Sequence, residues 1–138
     1  MQNKMIRFIS NLDPRAHIGN KELAKAGFLS VPDRVKQVKL GHVFKIRNGT
    51  SPYYMTAHFQ KLNEIENRIV TRATAYNFYT PRVYNQGANT CLYTSIRDWN
   101  DLPNNVKQID KEKAFKEKLK QSLMASAKKL EDDPFMYY

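Results

Sequence analysis

The sequence predicts a mainly α (α+β) protein: a single helical domain of five or six helices with a small β-hairpin around residues 81–94. Near both ends of the chain, apolar residues recur at spacings of three and four, which is the pattern of helices with one buried face. Around residues 81–94, an Asn-Gln-Gly turn instead separates two short runs of strand-favouring residues. The length of 138 residues is about that of one domain.

Two helices are predicted in the first 27 residues. The first covers Gln2–Leu12, where the apolar residues form one stripe, and Pro14 follows its end. The second covers Lys21–Ala26, with Asn20 as its N-cap and Gly27 at the position where a left-handed residue ends a helix. In each case a proline or a glycine sets the predicted end.

The third predicted helix starts at Ser30 or Val31, just before Pro32, and runs to about Arg47, where Asn48-Gly49 ends it. One face of this helix carries the apolar or aromatic residues Val31, Val35, Val38, His42 and Ile46. Further apolar residues lie on its other sides. This distribution indicates a helix against which several neighbours pack.

The middle of the chain predicts less regular structure. A short fourth helix is expected from residue 52 to residue 59 or 62, and the signals in residues 63–80 are mixed. The hairpin is predicted from the strand-favouring runs 82–84 and 90–93, with a turn at 85–87. In this interpretation, the cysteine at position 91 is a small apolar residue of a strand.

Two further helices are predicted near the C-terminus. One covers Ser95–Leu102, ends before Pro103, and holds Trp99 as a core anchor whose indole N–H meets a local carbonyl. Asp110 is predicted to cap the other helix. Its buried stripe is expected to consist of Phe115, Leu119, Leu123, Ala127 and Leu130.

The predicted domain covers residues 1–130, and residues 131–138 form a solvated tail that contains Asp132-Asp133. The parts of the domain are an N-terminal helix (1–12), a helical part (20–62), a segment rich in Arg and aromatic residues that holds the hairpin and the Trp99 helix (63–103), and a C-terminal helix (110–130).

The charge balance indicates an anionic partner. The chain has 23 Lys and Arg residues against 13 Asp and Glu, a net charge of +10. The first 59 residues carry ten basic and three acidic groups, so this part should meet such a partner first. No apolar run approaches the ~20 residues of a membrane-spanning helix. A signal peptide and a disulfide scaffold are not expected either, which indicates an intracellular protein of the nucleus or cytoplasm with no membrane partner.

The sequence offers little for catalysis, and we expect no catalytic residue, no metal site and no cofactor. His17, His42 and His58 lack Cys or carboxylate partners at metal-ligand spacing. Cys91 has no evident activating base, and no glycine-rich phosphate-binding loop is found. The sequence therefore favours a non-enzymatic protein.

Basic residues instead predict contact with nucleic acid in two places. One set lies on the third helix and the other interleaves with aromatic residues between Lys61 and Arg97. Guanidinium groups beside flat rings suit single-stranded nucleic acid, because phosphates take the charge and bases stack. The predicted binding residues are Arg34, Lys36, Lys39, Lys45, Arg47, Arg68, Arg72, Tyr76, Arg82 and Arg97.

Several short pieces of the chain also occur in a characteristic order. They are residues 2–9, 28–35, 40–46, 51–55, Thr71-Arg72, Asn77-Phe78, Pro81-Arg82-Val83, Trp99-Asn100-Asp101-Leu102-Pro103 and residues 115–120. The series resembles the C-terminal region of reverse transcriptases from non-LTR (LINE-type, jockey-like) retrotransposons. The resemblance covers nearly the whole chain to about Ala125.

This resemblance implies that residues 1–12 correspond to the end of the polymerase thumb and the remainder to the domain after it. The metal-binding aspartates of such enzymes lie upstream, in fingers and palm that this sequence lacks, so polymerase activity is not implied. The basic segment around Thr71-Arg72 and Pro81-Arg82 is expected to hold template RNA or target DNA.

A second hypothesis remains open at this stage. The chain could be a protein-interaction or structural module that contacts a polymerase domain or an acidic partner. It could also form a homodimer through the thumb-like helix, because Phe8 and Ile9 of that helix would be exposed when its original partner is absent.

Overall fold

Seven α-helices and two 3₁₀ turns make up the regular structure of the part of the chain that the computed structural model describes, residues 1–66 and 68–131. The helices are α1 (Gln2–Ile9), α2 (Asn20–Lys25), α3 (Val31–Arg47), α4 (Tyr53–Thr56), α5 (Cys91–Asn100), α6 (Asn104–Lys107) and α7 (Glu112–Glu131). The 3₁₀ turns are Leu62–Glu64 and Asn85–Asn89. The mainly helical class is confirmed, with one or two helices more than predicted.

Helix α3 begins and ends where the sequence predicts. At its start, Ser30 Oγ donates to Asp33 Oδ2 at 2.7 Å, and the N–H of Asp33 donates back to Ser30 Oγ at 3.4 Å. At its end, Gly49 adopts a φ of +72°, a left-handed conformation that glycine takes without a Cβ clash. The N–H of Thr50 then donates to the carbonyl of Lys45 at 3.0 Å.

Only some of the apolar residues of α3 are buried. Val31, Val35 and Val38 are each about half exposed or more, whereas the buried residues of this helix are Gln37, Leu40, Val43, Phe44 and Ile46. Two apolar stripes compete on this helix, and packing partners decide between them. The ring of Phe44 stacks on that of Phe115 with centroids 4.4 Å apart, which fixes its side of the helix as the inner one.

Several other helix ends differ from the sequence prediction by a few residues. Helix α1 ends at Ile9, before a left-handed Asn11 with a φ of +51°. Helix α4 ends at Thr56 and does not reach residue 59. Helix α7 begins at Glu112, and the carboxylate of the predicted cap, Asp110, lies 3.3 Å from Arg47.

The chain divides into two compact units. The first comprises residues 1–35 and the described residues from Lys118 onward. Its core cluster contains Ile6, Ile18 and Leu23. Two long side chains of α1 bond to backbone carbonyls of this unit: Gln2 Nε2 to Leu29 at 3.1 Å and Arg7 Nε to Ala16 at 2.8 Å. The predicted single domain over 1–130 stays a prediction.

The second unit comprises residues 36–117 and has an aromatic core. Five rings follow one another from α3 to the segment after α4: Phe44, Phe115, Trp99, Phe78 and Phe59. Successive centroids lie 4.4, 5.8, 5.9 and 5.6 Å apart. These are ordinary separations for stacked, tilted and edge-on aromatic pairs. The role of Trp99 as a core anchor is confirmed, because its side chain is fully buried.

The predicted hairpin around residues 81–94 is wrong. Residues 85–89 form a 3₁₀ turn, and residues 91–93 form the first turn of α5, so the described residues contain no strand. The reason is the side chain of Thr90, which accepts a hydrogen bond from the N–H of Tyr93 at 3.4 Å and so caps α5. The β-branched residue that suggests a strand is therefore an N-cap.

The buried stripe of α7 agrees with the prediction as far as the structure describes it. Phe115, Leu119 and Leu123 are buried, and Ala127 is half-buried. The side chain of Leu130 and the predicted tail from residue 132 onward lie outside the described residues. No helix within the described part of the chain is both long and apolar enough to cross a membrane.

Candidate nucleic-acid interface

The basic residues of α3 that the sequence groups together have different surroundings. Lys39 Nζ lies 3.1 Å from Asp98 Oδ2 and 3.2 Å from Thr94 Oγ1, both on α5. Lys45 Nζ lies 3.8 Å from Glu112 Oε1. Of the remaining α3 residues in this set, Arg34 is exposed and Lys36 is half-buried. The charges of Lys39 and Lys45 therefore face carboxylates of the same unit.

Arg47, the last residue of α3, is the most occupied of these cations. Its guanidinium donates to the carbonyls of Lys107 and Ile109, the latter at 3.2 Å, and lies 3.3 Å from Asp110 Oδ1. The guanidinium carbon also lies 5.7 Å from the centroid of the Tyr76 ring. Arg47 thus connects the end of α3 to the α6–α7 connection and to the segment around Tyr76.

The irregular segment 68–84 carries a second group of cations, and these are more open. The guanidinium carbon of Arg68 lies 5.0 Å from the centroid of the Tyr79 ring, within the range of a cation–π contact. Arg72 and Arg82 are exposed, and neither forms an ion pair with any described residue. Arg97, on α5, is also exposed and unpaired within residues 1–66 and 68–131.

Two side chains of α5 hold this segment in place. The indole N–H of Trp99 donates to the carbonyl of Tyr76 at 3.0 Å, 23 residues earlier in the chain rather than locally. The amide of Asn100 accepts from the N–H of Phe78 and donates to the carbonyl of the same residue, both at 3.0 Å. Asn100 thus satisfies both backbone groups of Phe78, as a neighbouring strand would.

Lys61 lies on the other side of the same segment. It forms an isolated antiparallel β-bridge with Phe78, and the N–H of Tyr79 donates to the carbonyl of Gln60 at 2.7 Å. The backbone around Phe78 is therefore bonded both to the chain at residues 60–62 and to Asn100. These bonds give residues 76–79 a fixed position without a sheet.

A polar cavity of about 320 Å³ opens between the end of α3 and this segment. Arg47 and Lys61 bring positive charge to its wall, Tyr76 a ring, and Asn63 and Asn77 carboxamides. Such a wall offers donors to a phosphate oxygen and a flat surface to a base or sugar. The cavity thus brings two cationic side chains and an aromatic ring together.

A buried lysine donates a hydrogen bond to Asn77, which lines this cavity. The side chain of Lys107, on α6, is only 2% exposed. Its Nζ donates to Asn77 Oδ1 at 2.7 Å and to the carbonyl of Asn100 at 2.8 Å, so both partners are neutral oxygens. Burial lowers the pKa of Lys107, while the charge of Asp101 acts in the opposite direction. The lysine therefore supports Asn77 at the cavity wall.

Sequence patterns reveal only part of this arrangement. Arg47, Arg68, Arg72, Tyr76 and Arg82 are brought to one unit, as is Arg97 on α5, whereas Arg34 falls in the other unit. Lys61, Lys107 and the carboxamides of Asn77 and Asn100 are not among the predicted site residues. A signal for Asn100 exists, since it follows the core anchor Trp99 directly, but nothing marks Lys107 as a buried lysine.

Metal-ligating side chains form no cluster in the described part of the chain. No three His, Cys, Asp or Glu residues among them lie close enough together to hold a metal ion. No protein-family model matches this chain, and neither a curated protein nor a solved structure shows significant similarity to it.

Proposed function

We propose that this chain is a non-enzymatic nucleic-acid-binding module for RNA or single-stranded DNA. The observation that carries the proposal is the contact of Arg68 with Tyr79 in a segment whose other arginines, Arg72 and Arg82, are exposed and form no ion pair with any described residue. Stacked guanidinium and phenol groups offer charge to phosphates and flat surfaces to unpaired bases. The resemblance to retrotransposon reverse transcriptases implies the same use for the basic segment around Thr71-Arg72 and Pro81-Arg82.

The charge of the second unit supports the same proposal. Residues 36–117 carry 13 basic and seven acidic side chains, and Asp98, Asp110 and Glu112 already face cations of the unit. The exposed arginines of the segment 68–84 are therefore not neutralised locally. A surface of this kind attracts a polyanion and binds it less tightly as salt rises, because bound phosphates release their counterions.

A matched pair of variants tests the proposal. The triple variant Arg68→Ala, Arg72→Ala, Arg82→Ala removes three exposed cations of the segment. The control Lys111→Ala, Lys113→Ala, Lys118→Ala removes the same charge from exposed positions at and beside α7. Fluorescence anisotropy with labelled RNA and single-stranded DNA, measured over a series of salt concentrations, reports affinity and its salt dependence.

We expect the segment variant to bind more weakly and with a flatter salt dependence, by about 0.7 in the logarithmic slope for each lost phosphate contact. The control should lose less affinity at every salt concentration. Equal losses of affinity in the two triple variants would mean that the protein binds nucleic acid only by non-specific charge attraction. No binding of RNA or DNA by the unaltered protein would contradict it outright.

A second candidate function rests on the surface of α1. Phe8 is 87% exposed, and Met5 and Ile9 are 58% and 59% exposed, so this short helix presents three large apolar side chains to solvent. A contiguous apolar patch is typical of a protein-interaction surface. We propose self-association or binding of another protein through α1 as the alternative. Analytical ultracentrifugation of the protein and of the Phe8→Ser variant tests self-association. If it occurs through α1, only the unaltered protein should form oligomers.

A further inference from the structure

A second cavity, of about 330 Å³, lies in the same unit and has a different character. Helix α3 contributes Val43 and His42 to its wall, the α4 region contributes Tyr54 and Phe59, and α5 contributes Leu92. The lining is thus apolar and aromatic, with imidazole and thiol groups among the few polar ones. At this volume it lies near the lower end of ligand pockets, which range over about 300–1,000 Å³.

Lining residues of this apolar cavity contact or directly precede lining residues of the polar cavity described above. Phe59 lines the apolar cavity and Phe78 lines the polar one, and their rings meet edge to face with centroids 5.6 Å apart. On α3, the consecutive residues Ile46 and Arg47 line the apolar and the polar cavity respectively. The walls of the two cavities are therefore linked by one ring contact and by two consecutive residues of α3.

We propose that the apolar cavity takes one unstacked nucleobase of a single-stranded nucleic acid whose phosphate lies at the polar cavity, beside Lys61. The inference rests on the proposed function and names the chemistry of its binding site. A nucleotide joins a flat aromatic group to an anion, and the two cavities offer an aromatic wall and a cationic one. Unpaired bases bind in this way, stacked on aromatic or imidazole side chains.

Charge favours a nucleotide over an apolar peptide as the occupant. A peptide side chain would also fit the apolar cavity, but it would bring nothing for the cations next to it. The excess of basic residues in 36–117 instead favours a partner that carries an anion beside each flat group. The Lys39 amino group, at the wall of the apolar cavity, already faces Asp98 and leaves the base environment close to neutral.

Two neighbouring tyrosines supply a matched pair of variants. Tyr54 lines the cavity, whereas Tyr53 precedes it on α4 and does not. Both are largely exposed, 71% and 86% respectively, so neither substitution removes a core residue. We expect Tyr54→Ala to weaken binding of a short oligouridylate or oligothymidylate by roughly 5- to 150-fold, the usual loss for one stacked base. Tyr53→Ala should bind like the unaltered protein.

The cysteine in the wall provides an independent measurement. Cys91 is the only cysteine of the chain and is exposed, so a chromogenic disulfide reagent reports access to the cavity directly. A bound oligonucleotide should slow the reaction of Cys91, whereas an abasic phosphodiester strand of equal length should leave it unchanged. The variant Leu92→Trp, which fills the cavity while Tyr54 stays in place, should lose the affinity in the same way as Tyr54→Ala.

Each outcome decides one question. If oligonucleotides bind with the expected salt dependence but Tyr54→Ala and Tyr53→Ala bind alike, or the abasic strand protects Cys91 equally, the base site is wrong and the proposed function survives. If no strand binds to the unaltered protein, both fail. Circular dichroism of each variant establishes that the helices are retained.

Discussion

The basic residues of α3 and those of the segment 68–84 are chemically alike, but their charged groups have different surroundings in the fold. On α3, Lys39 and Arg47 face carboxylates and carbonyls of their own unit. In the segment, Arg68 lies over a tyrosine ring, and Arg72 is exposed without an ion pair among the described residues. Net charge is therefore a poor guide to which cations can meet a partner.

The difference arises from what surrounds each backbone. A helix in the middle of a unit brings its long side chains within reach of several neighbouring elements, so its cations find acceptors. An irregular segment whose backbone is bonded to Trp99, Asn100 and residues 60–62 leaves its arginines exposed. The four predictions that follow test this contrast, from the largest expected effect to the smallest.

The largest effect is expected at Arg47. The substitution Arg47→Ala removes a donor from two carbonyls, an ion pair with Asp110 and a contact with Tyr76. We expect the free energy of unfolding to fall by about 3 kcal/mol, because partly buried acceptors lose their partners. Urea denaturation followed by circular dichroism measures it. Arg72→Ala should change stability by less than about 0.5 kcal/mol, and equal losses would abolish the contrast.

The next effect concerns the anchoring of the segment by Asn100. Replacing it by Ala leaves the N–H and carbonyl of the buried Phe78 without their side-chain partner. A loss of about 2 kcal/mol is expected in the same denaturation experiment. Hydrogen exchange of the Phe78 amide should also become faster. The exposed Asn105→Ala is the control, and unchanged protection of Phe78 in Asn100→Ala would show that other bonds suffice.

A smaller effect is expected from Asp98→Asn, which removes the charge that Lys39 faces. Their side chains are 12% and 21% exposed, so the pair is partly shielded, and a loss of about 1 kcal/mol is expected. The control Glu117→Gln makes the same change of net charge at an exposed position. Nucleic-acid affinity should rise equally in both variants. A larger rise in Asp98→Asn would mean that Lys39 also serves the nucleic acid.

The smallest effect concerns the pH dependence of stability at Lys107. The pKa of Lys107 in the folded chain lies below the ordinary value of 10.5. Between the folded-state pKa and 10.5, this lysine has lost its proton in the folded chain but keeps it in the unfolded chain. Stability from this group therefore rises with pH in that window. Lys107→Met should lack this rise in urea titrations up to pH 10.5, and parallel curves for the two proteins would contradict the assignment.

Local signals in the sequence predict the long helices well. Pro32 and Asn48-Gly49 mark the two ends of α3, and the apolar spacing of α7 gives its buried stripe. They fail where one local pattern suits two structures. Thr90 favours a strand by its branched side chain and a helix by its capping oxygen, and the cap is what forms.

The site could be predicted only in its composition. That Arg and Tyr side chains meet in the segment is foreseeable from their interleaving, but their partners depend on contacts across the unit. Lys39 and Asp98 are 59 residues apart, and Arg47 and Asp110 are 63 apart. Sequence spacing carries no information about such pairs, so the loss of α3 cations to internal acceptors had no signal.

The bond from Trp99 to the carbonyl of Tyr76 has an optical consequence. Trp99 is the only tryptophan of the chain, is fully buried, and is bonded directly to the segment that carries the arginine–tyrosine contacts. Its emission is therefore an intrinsic reporter of that attachment. The fluorescence of this one indole distinguishes a segment that stays docked from one that detaches, with no label added to the protein.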